Sequence, residues 1–294
     1  MRLLITGASG FVGGRLLDLL PDNYEVVCIG RSLVEGCAQF LEADLTDKDG
    51  LLKAAQELKD SRFDAVVHLA AYVPKTAQED MLSEMVDANI VGTANILEVF
   101  CGRTKKIILG STAEVYDQRS INSMIDQNTA VGPASYYGAT KLASEQITKA
   151  FADKHGVKLT ILRFSVMYGG FDQIARALPN FIRQALNDEP LTLNFPDTLR
   201  DYIHLDDVAE SILCAIQSDG CGVLPIGSGH GISIGSAAKA IVDTIRPDSQ
   251  IIIEKPGKGV DIVVDPSLAQ KKIGFTAKII FPQKIDQMIG HYRA

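Results

Sequence analysis

The segment that decides the fold is LLITGASGFVG, residues 3–13 of the chain. Its three glycines, Gly7, Gly10 and Gly13, lie between a short apolar run and a helix-like stretch at 15–20. Glycine lets a backbone turn tightly and approach a ligand closely, and the first N–H groups of a helix point at anions. A strand that turns into a helix over this spacing predicts a seat for the pyrophosphate of a dinucleotide.

The composition is that of an ordinary globular protein. Of 294 residues, 46% are hydrophobic and 22% are charged, and the net charge is -7. An acidic balance argues against a nucleic-acid binder, and no apolar run approaches the length that spans a bilayer. Since no charged and then apolar leader precedes the first strand, we expect a soluble, cytoplasmic protein that binds neither nucleic acid nor membrane.

The cysteines and histidines show no metal-binding spacing. The five cysteines are scattered without a Cys-x-x-Cys pair, and the five histidines form no cluster. This pattern is typical of reduced structural thiols, and we expect neither disulfides nor a metal site. His68 ends an apolar run and is interpreted as a buried core residue rather than a ligand.

Apolar runs alternate with helix-like stretches along the first half of the chain. The predicted strands are 3–6, 25–29, 38–41, 63–69, 105–110 and 158–163, and the predicted helices are 13–20, 48–58, 78–100 and 134–154. This alternation predicts an α/β fold with a doubly wound, Rossmann-like parallel sheet. We expect a dinucleotide-binding domain from 1–165 plus about 205–230, and a smaller C-terminal substrate-binding lobe from 166–204 plus 231–294, which is punctuated by prolines.

Arg31 follows the second predicted strand, where dinucleotide folds select between NAD and NADP. No acid stands at 29–31, and a guanidinium binds a 2′-phosphate bidentately. We therefore expect a preference for NADP; in the alternative, Arg31 stacks on the adenine or faces solvent, and NAD also fits. Asp44 and Leu45, after the third strand, are predicted to form the lip of the adenine site, unless Asp44 caps the next helix.

Tyr137 and Lys141 are four residues apart on a predicted helix, so their side chains share one face. A nearby ammonium favours phenolate, and we expect the pKa of Tyr137 to be lowered toward the range where a phenol exchanges protons with an alcohol. Thr112 follows the strand 105–110, and ligands bind at the carboxyl ends of parallel strands. Its hydroxyl is predicted to hydrogen-bond the substrate oxygen that gains or loses the proton.

Further motifs accompany these residues in order along the chain. They are HLAA at 68–71, NIVGT at 89–93, PASYYGATK at 133–141, LRF at 162–164, YG at 168–169 and RDYIHLDDVA at 200–209. With them the chain resembles, nearly from end to end, the extended short-chain dehydrogenases/reductases of the NAD-dependent epimerase/dehydratase family. That family acts mostly on nucleotide-activated sugars.

The resemblance implies that Thr112, Tyr137 and Lys141 form a catalytic triad and that Arg200 pairs with the diphosphate of the substrate. It also suggests a homodimer through the helices that contain Asn89 and Tyr137. The predicted cofactor contacts are Gly7, Gly10, Phe11, Val12, Gly13, Arg31, Asp44, Leu45, Leu69, Ala70, Ala71, Tyr137, Lys141 and Phe164. The predicted substrate contacts are Thr112, Arg200 and Lys258, the last as a surrogate for an arginine of the relatives.

The chain departs from the family pattern at positions that bear on the reaction. Val166 stands where an asparagine is common in the family. The dehydratases usually carry an acid and then a glutamate after the catalytic threonine, but this chain has Ala113 and then Glu114. One of the two proton carriers is therefore missing, which disfavours 4,6-dehydration. Hydride transfer at sugar C4 remains. It fits a 4-ketoreductase, slightly favoured by Arg31 and NADPH, or a 4-epimerase similar to UDP-glucose 4-epimerase with tightly held NAD. A redox-silent NADP-binding regulatory protein is the alternative outside catalysis.

Overall fold

The computed structural model describes residues 1–58, 62–75, 81–121, 124–171, 174 and 176–293. The strands are β1 Arg2–Thr6, β2 Glu25–Gly30, β3 Gln39–Glu42, β4 Ala65–His68, β5 Lys106–Thr112, β6 Lys158–Phe164, β7 Val166–Tyr168, β8 Leu191–Asn194, β9 Leu199–His204, β10 Gly222–Ile226, β11 Gly231–Ser233 and β12 Ile251–Lys255. The helices are α1 Phe11–Leu19, α2 Lys48–Gln56, α3 Leu82–Met85, α4 Gly92–Phe100, α5 Tyr136–His155, α6 Ala177–Leu186, α7 Leu205–Gln217, α8 Ile234–Ile245, α9 Ser267–Ile273 and α10 Ile285–Arg293.

A central sheet of seven strands has the order β10-β6-β5-β4-β1-β2-β3, and all its pairings are parallel. The six strands predicted from the sequence all lie in it, and β10 returns from the later part of the chain to pair with β6. The predicted α/β fold with a doubly wound sheet is therefore confirmed. From β1 the chain adds β2 and β3 on one side, and then β4, β5 and β6 on the other side of β1. Folds of this type bind their ligands where the strand order reverses in this way, here between β1 and β4.

The sheet is covered on both faces, as its continuous apolar strands predict. Along β1, Leu3 and Ile5 pack into one core with α1 and α7, whereas Leu4 packs into a second core with α2 and α4. Successive side chains of a strand point to opposite faces, so one apolar run supplies both cores. This double burial holds the carboxyl ends of the strands in fixed positions.

A separate apolar cluster lies in the C-terminal part of the chain. It is formed by side chains of α6, α8 and α10 with β8 and β9, around a three-stranded sheet β11-β9-β7 and a two-stranded sheet β12-β8. These elements fall in the region assigned above to the substrate-binding lobe. The exact domain bounds given above stay a prediction.

The predicted helix 78–100 differs from the structure. Residues 78–80 lie outside the described residues, and the remainder is α3, a π-helical segment at Val86–Val91 and then α4. A π segment inside a helix frequently marks a functional site. None of the described helices combines the length and apolar character needed to cross a membrane.

Candidate active site

A cavity of about 490 Å³ opens at the carboxyl ends of β1, β2 and β4. Eight of the predicted cofactor contacts line it: Gly7, Gly10, Arg31, Asp44, Leu45, Leu69, Ala70 and Ala71. The other six are not part of its lining: Phe11, Val12, Gly13, Tyr137, Lys141 and Phe164. We call this space the dinucleotide cavity.

The glycine turn of the dinucleotide cavity fits a pyrophosphate. Gly7 has φ +74°, and a Cβ there would lie 2.6 Å from the backbone nitrogen of Ala70. A Cβ on Gly13 would lie 2.1 Å from the carbonyl oxygen of Gly7. No side chain caps the start of α1 at Gly10, so the first N–H groups of the helix are open to an anion.

Asp44 and Arg31 meet at the rim of the dinucleotide cavity. One carboxylate oxygen of Asp44 accepts hydrogen bonds from the backbone nitrogen and the hydroxyl of Thr46, at 2.9 and 2.8 Å. The other lies 4.0 Å from Nη1 of Arg31, whose side chain is 80% exposed. The backbone hydrogen bond from Thr46, with help from Arg31, lowers the pKa of Asp44. Asp47 caps α2, so Asp44 is not the helix cap.

A second cavity, of about 340 Å³, is lined by residues at the carboxyl ends of β5 and β6, and we call it the sugar cavity. Thr112, Tyr137, Phe164 and Arg200 line it, and Thr112 pairs in register with Phe164. Lys258 is not part of the lining; its ammonium lies 2.7 Å from the carboxylate of Asp261. The structure thus brings two of the three predicted substrate contacts together with Tyr137.

Hydrogen bonds tie the loop after β5 to the first turn of α5. The hydroxyl of Thr112 accepts from the backbone nitrogen of Glu114 at 3.2 Å, which leaves its own proton to donate. The Glu114 carboxylate accepts from the Ser135 hydroxyl at 2.8 Å, and Ser135 caps α5 by accepting from the nitrogen of Gly138 at 3.0 Å. Tyr137 and Thr112 are therefore positioned by one connected set of bonds.

The pKa of Tyr137 differs from the expectation above. Burial, and then the charge of Glu114, raise the pKa of Tyr137 to about 12, while Arg176 acts in the opposite direction. Burial lowers the pKa of Lys141 to about 8, against the influence of Glu145. The expected lowering of the Tyr137 pKa by Lys141 is therefore wrong for this structure, because desolvation of the phenol outweighs the nearby charges.

Lys141 is 2% exposed, and its ammonium forms no hydrogen bond or ion pair with the described residues. Its charge, after burial, contributes to lowering the pKa of His68 to about 3. His68 ends β4, next to Leu69 and Ala70 of the dinucleotide cavity. The charge of Lys141, one turn along α5 from Tyr137, therefore acts on the end of β4 beside the dinucleotide cavity.

His68 is a buried core residue, which confirms its interpretation from the sequence. Thr93 donates to the carbonyl of Asn89 at 2.6 Å and so accepts from Nε2 of His68 at 2.9 Å. Nδ1 of His68 then accepts from the Thr6 hydroxyl at 2.6 Å, and Thr6 accepts from the nitrogen of Ala70 at 3.2 Å. The neutral imidazole thus joins the wall of the dinucleotide cavity to α4.

Asn89, in the π-helical segment, connects the same network to α5. Its amide nitrogen donates to the carbonyl of Tyr72 at 3.1 Å and to the hydroxyl of Thr140 at 3.0 Å. The backbone carbonyl of Asn89 also accepts from the hydroxyl of Ser144. Because Thr140 lies next to Lys141, these bonds fix the helix that carries the predicted catalytic pair.

Sequence reasoning missed several residues of the sugar cavity, and Arg176 is the most important. Arg176 immediately precedes α6 and lines the sugar cavity beside Tyr137 and Glu114. Only its charge type marks it in the sequence, since the surrounding segment shows weak periodicity. Among the described residues, no group of three or more histidine, cysteine or acidic side chains is placed to hold a metal ion.

Comparisons with known proteins agree with this arrangement. A putative UDP-glucose 4-epimerase of Methanocaldococcus jannaschii is 28% identical over 270 residues, which cover 87% of each chain. The structure of UDP-glucuronic acid 4-epimerase from Bacillus cereus, in complex with UDP-glucuronic acid and NAD, superimposes with a TM-score of 0.86. That of UDP-glucose 4-epimerase from Thermus thermophilus, in complex with NAD, superimposes with a TM-score of 0.85. Both structures are 25% identical, and each comparison covers 100% of this chain and 99% of the other.

The sequence model of the NAD dependent epimerase/dehydratase family matches residues 3–227. This range contains the glycine turn, the strands β1, β2, β4, β5 and β6, whose carboxyl ends border the two cavities, and α5 with Tyr137. The chain therefore belongs to the NAD-dependent epimerase/dehydratase family.

Proposed function

We propose that the protein is a UDP-sugar 4-epimerase that works with tightly held NAD. The observation that carries this proposal is that Thr112 and Tyr137 line one cavity at the ends of β5 and β6. The glycine turn opens at the end of β1 on the same edge of the parallel sheet. Several relatives are named as UDP-sugar 4-epimerases, which supports this reaction over the 4-ketoreductase.

In this reaction Tyr137 takes the proton of the sugar C4 hydroxyl and later returns it, while Thr112 donates a hydrogen bond to the same oxygen. A nicotinamide dinucleotide held in the dinucleotide cavity would supply the acceptor, and then the donor, of the C4 hydride. Lys141, one turn further along α5, is suited to bind the cofactor ribose, while Arg176 is the lining residue whose charge favours the phenolate form of Tyr137. The sugar cavity must let the 4-keto sugar turn over, so that C4 receives the hydride on the opposite face of the ring.

Arg200 is suited to anchor the diphosphate while the sugar turns. Its Nη1 donates to the carbonyls of Leu199 and Val260 at 2.9 and 2.7 Å. The opposite edge of the guanidinium, with Nε and Nη2, keeps the fork of donors that binds phosphate bidentately. Burial lowers the pKa of Arg200, yet a guanidinium stays charged at any physiological pH.

The position of Asp44 supports NAD as the resident cofactor. A carboxylate 4.0 Å from Arg31 repels a 2′-phosphate and is able to accept hydrogen bonds from ribose or adenine. Arg31 itself favours the second candidate, a 4-ketoreductase that uses NADPH. The two candidates differ in cofactor fate, since an epimerase regenerates its cofactor in every turnover and a reductase consumes it.

The test is to incubate the purified protein with UDP-glucose and no added cofactor. We expect UDP-galactose to form, native mass spectrometry to show retained NAD, and Tyr137→Phe to reduce turnover about a thousandfold through loss of the proton carrier. Stoichiometric oxidation of NADPH by a UDP-4-keto sugar, without interconversion of epimers, would establish the reductase instead. The same mass spectrum tests the homodimer expected through the helices of Asn89 and Tyr137.

A further inference from the structure

The segment between β2 and β3, residues 31–38, forms part of the rim of the dinucleotide cavity. Ile29 and Gly30, at the end of β2, line the cavity together with Arg31 and Ser32, which follow. Outside the strand ladders, no backbone group of residues 31–37 forms a hydrogen bond with another described backbone group. The position of this part of the rim therefore depends on the side chains that anchor it.

Two side chains of this segment, Val34 and Cys37, anchor it to the protein. Both pack against the apolar core that the central sheet forms with α1 and α7, whereas the other side chains of residues 31–38 are exposed. The Cys37 thiol donates to the carbonyl of Val34 at 3.6 Å. Directly after it, the backbone nitrogen of Ala38 donates to the carbonyl of Val26 on β2 at 2.8 Å. Cys37 thus attaches the segment to the core beside β2.

A second cysteine, Cys28, lies on β2 in the same core. Its side chain is fully buried and shares a face of the strand with that of Val26, because residues two apart point the same way. Burial, and then the charge and hydrogen bonding of the Cys37 thiol, raise the pKa of Cys28. Both thiols are free. They are therefore neighbours, one buried and one partly exposed, beneath the rim of the dinucleotide cavity.

We propose that Cys28 and Cys37 are a redox modification site: hydrogen peroxide joins them in a disulfide that weakens dinucleotide binding, and a thiol reductant reverses it. The disulfide closes a ring from residue 28 to residue 37, which includes the four lining residues 29–32. This site goes beyond the proposed function, since it does not depend on the sugar that the protein binds. The spacing of the cysteines in the sequence gives no sign of it, because the pair arises only when the segment packs onto the core beside β2.

The oxidation begins at Cys37, the partly exposed thiol. Its sulfur attacks one oxygen of the peroxide, the O–O bond breaks, and the thiol proton leaves with the other oxygen as water, which makes Cys37 a sulfenic acid. The sulfur of Cys28 then attacks the sulfur of Cys37, the S–O bond breaks, and the Cys28 proton leaves with the hydroxide as a second water. The two sulfurs together lose the two electrons that reduce the peroxide. Because burial raises the pKa of Cys28, we expect the second step to be the slower one.

The disulfide changes the rim because a covalent bond is shorter than the contact between two thiols. A disulfide holds its sulfurs at about 2.05 Å. Forming it draws Cys37 toward Cys28, breaks the bond of its thiol to Val34 and shifts the lining residues Arg31 and Ser32. We expect the affinity for NAD to fall about five- to tenfold on oxidation. By reciprocity, bound NAD should then disfavour the disulfide by the same factor.

The test treats the full-length protein, stripped of retained cofactor, with hydrogen peroxide. Remaining thiols are then blocked with iodoacetamide, and peptide mapping by mass spectrometry locates any disulfide. We expect the peptides of Cys28 and Cys37 to be joined and to separate with dithiothreitol. Calorimetric titration with NAD should show the loss of affinity in the oxidised protein and its recovery after reduction. Saturating NAD, added before the peroxide, should reduce the yield of the disulfide.

Three variants separate the disulfide from other oxidation. Cys221→Ser is the matched control, since it removes the exposed cysteine and should form the same disulfide. Cys37→Ser should keep its affinity for NAD after peroxide. In Cys28→Ala the partner thiol is missing, so peroxide should leave Cys37 as a sulfenic acid that dimedone traps, with the affinity for NAD near that of untreated protein. The melting temperatures of all variants report folding.

Three results would overturn the proposal. The first is that Cys28 and Cys37 both remain open to alkylation after peroxide, once the protein is unfolded. The second is a joined pair with unchanged affinity for NAD, and the third is an equal loss of affinity in peroxide-treated Cys37→Ser. None of these results bears on epimerisation of UDP-glucose by the reduced protein, so the proposed function stands or fails separately.

Discussion

Glu145 holds Arg163 through both carboxylate oxygens, at 3.0 Å from Nε and 2.7 Å from Nη2. Their side chains are 1% and 6% exposed. The same carboxylate accepts a hydrogen bond from Ser111, which directly precedes Thr112 on β5. Since Glu145 lies on α5 with Tyr137, its carboxylate joins the helix of Tyr137 to β6 through Arg163 and to the strand of Thr112 through Ser111.

Glu145→Gln is expected to destabilise the protein by about 3–5 kcal/mol, because it leaves the buried Arg163 guanidinium without a counter-charge. Urea unfolding monitored by circular dichroism measures the change. The double variant Glu145→Leu, Arg163→Met removes both charges and should recover most of the stability. A loss below about 1 kcal/mol in Glu145→Gln would show that the pair is not desolvated as the structure has it.

Glu114 and Arg176 are expected to shift the pH dependence of turnover in opposite directions. The charge of Glu114 raises the pKa of Tyr137 and that of Arg176 lowers it. Glu114→Gln should therefore lower this pKa and move the rising, acidic limb of the pH profile of kcat to lower pH. Arg176→Met should move it to higher pH, with turnover of UDP-glucose near neutral pH about threefold lower. Shifts in the same direction in both variants would contradict the assignment of Tyr137 as the base.

Asp44→Asn is expected to raise the affinity for NADPH relative to NADH by about tenfold, because it releases Arg31 and removes a charge that repels the 2′-phosphate. Fluorescence titration of the protein, stripped of retained cofactor, with each dinucleotide measures the ratio. The double variant Asp44→Asn, Arg31→Ala should lose the gain. If the ratio is unchanged in Asp44→Asn, the rim formed by these two residues does not contact the 2′ position.

The fold was predictable because its signals are local. Most strands of the central sheet are continuous apolar runs, and the glycine turn follows the first run directly. The relation of Asp44 to Arg31 was not predictable from residues 29–31, since it arises when β3 pairs with β2 and brings the following loop to the same rim.

The pKa values of the site residues depend on how deeply the side chains are buried, and the spacing of residues in the sequence does not show this. The interval from Tyr137 to Lys141 placed the two residues on one face of a helix correctly, yet gave the wrong direction for the phenol pKa. Arg176 lies in a segment without strong periodicity, before a helix whose start no side chain caps. Its place in the sugar cavity follows only from the packing of α6 against the C-terminal cluster.

The buried, neutral His68 is expected to make the folded protein less stable in mild acid. Burial, with a smaller effect of Lys141, lowers the pKa of His68 to about 3 in the folded protein, from 6.5 in the unfolded chain. The unfolded state therefore binds a proton that the folded state does not, and stability is fully present above pH 6.5 and falls as the pH is lowered. The unmodified protein should lose about 1.4 kcal/mol per pH unit more than His68→Gln between about pH 6 and 4. Glutamine keeps a donor and an acceptor for Thr93 and Thr6 but does not titrate. Urea unfolding at several pH values gives the free energy of unfolding of each protein, and the same pH dependence in both would contradict the neutral, buried imidazole.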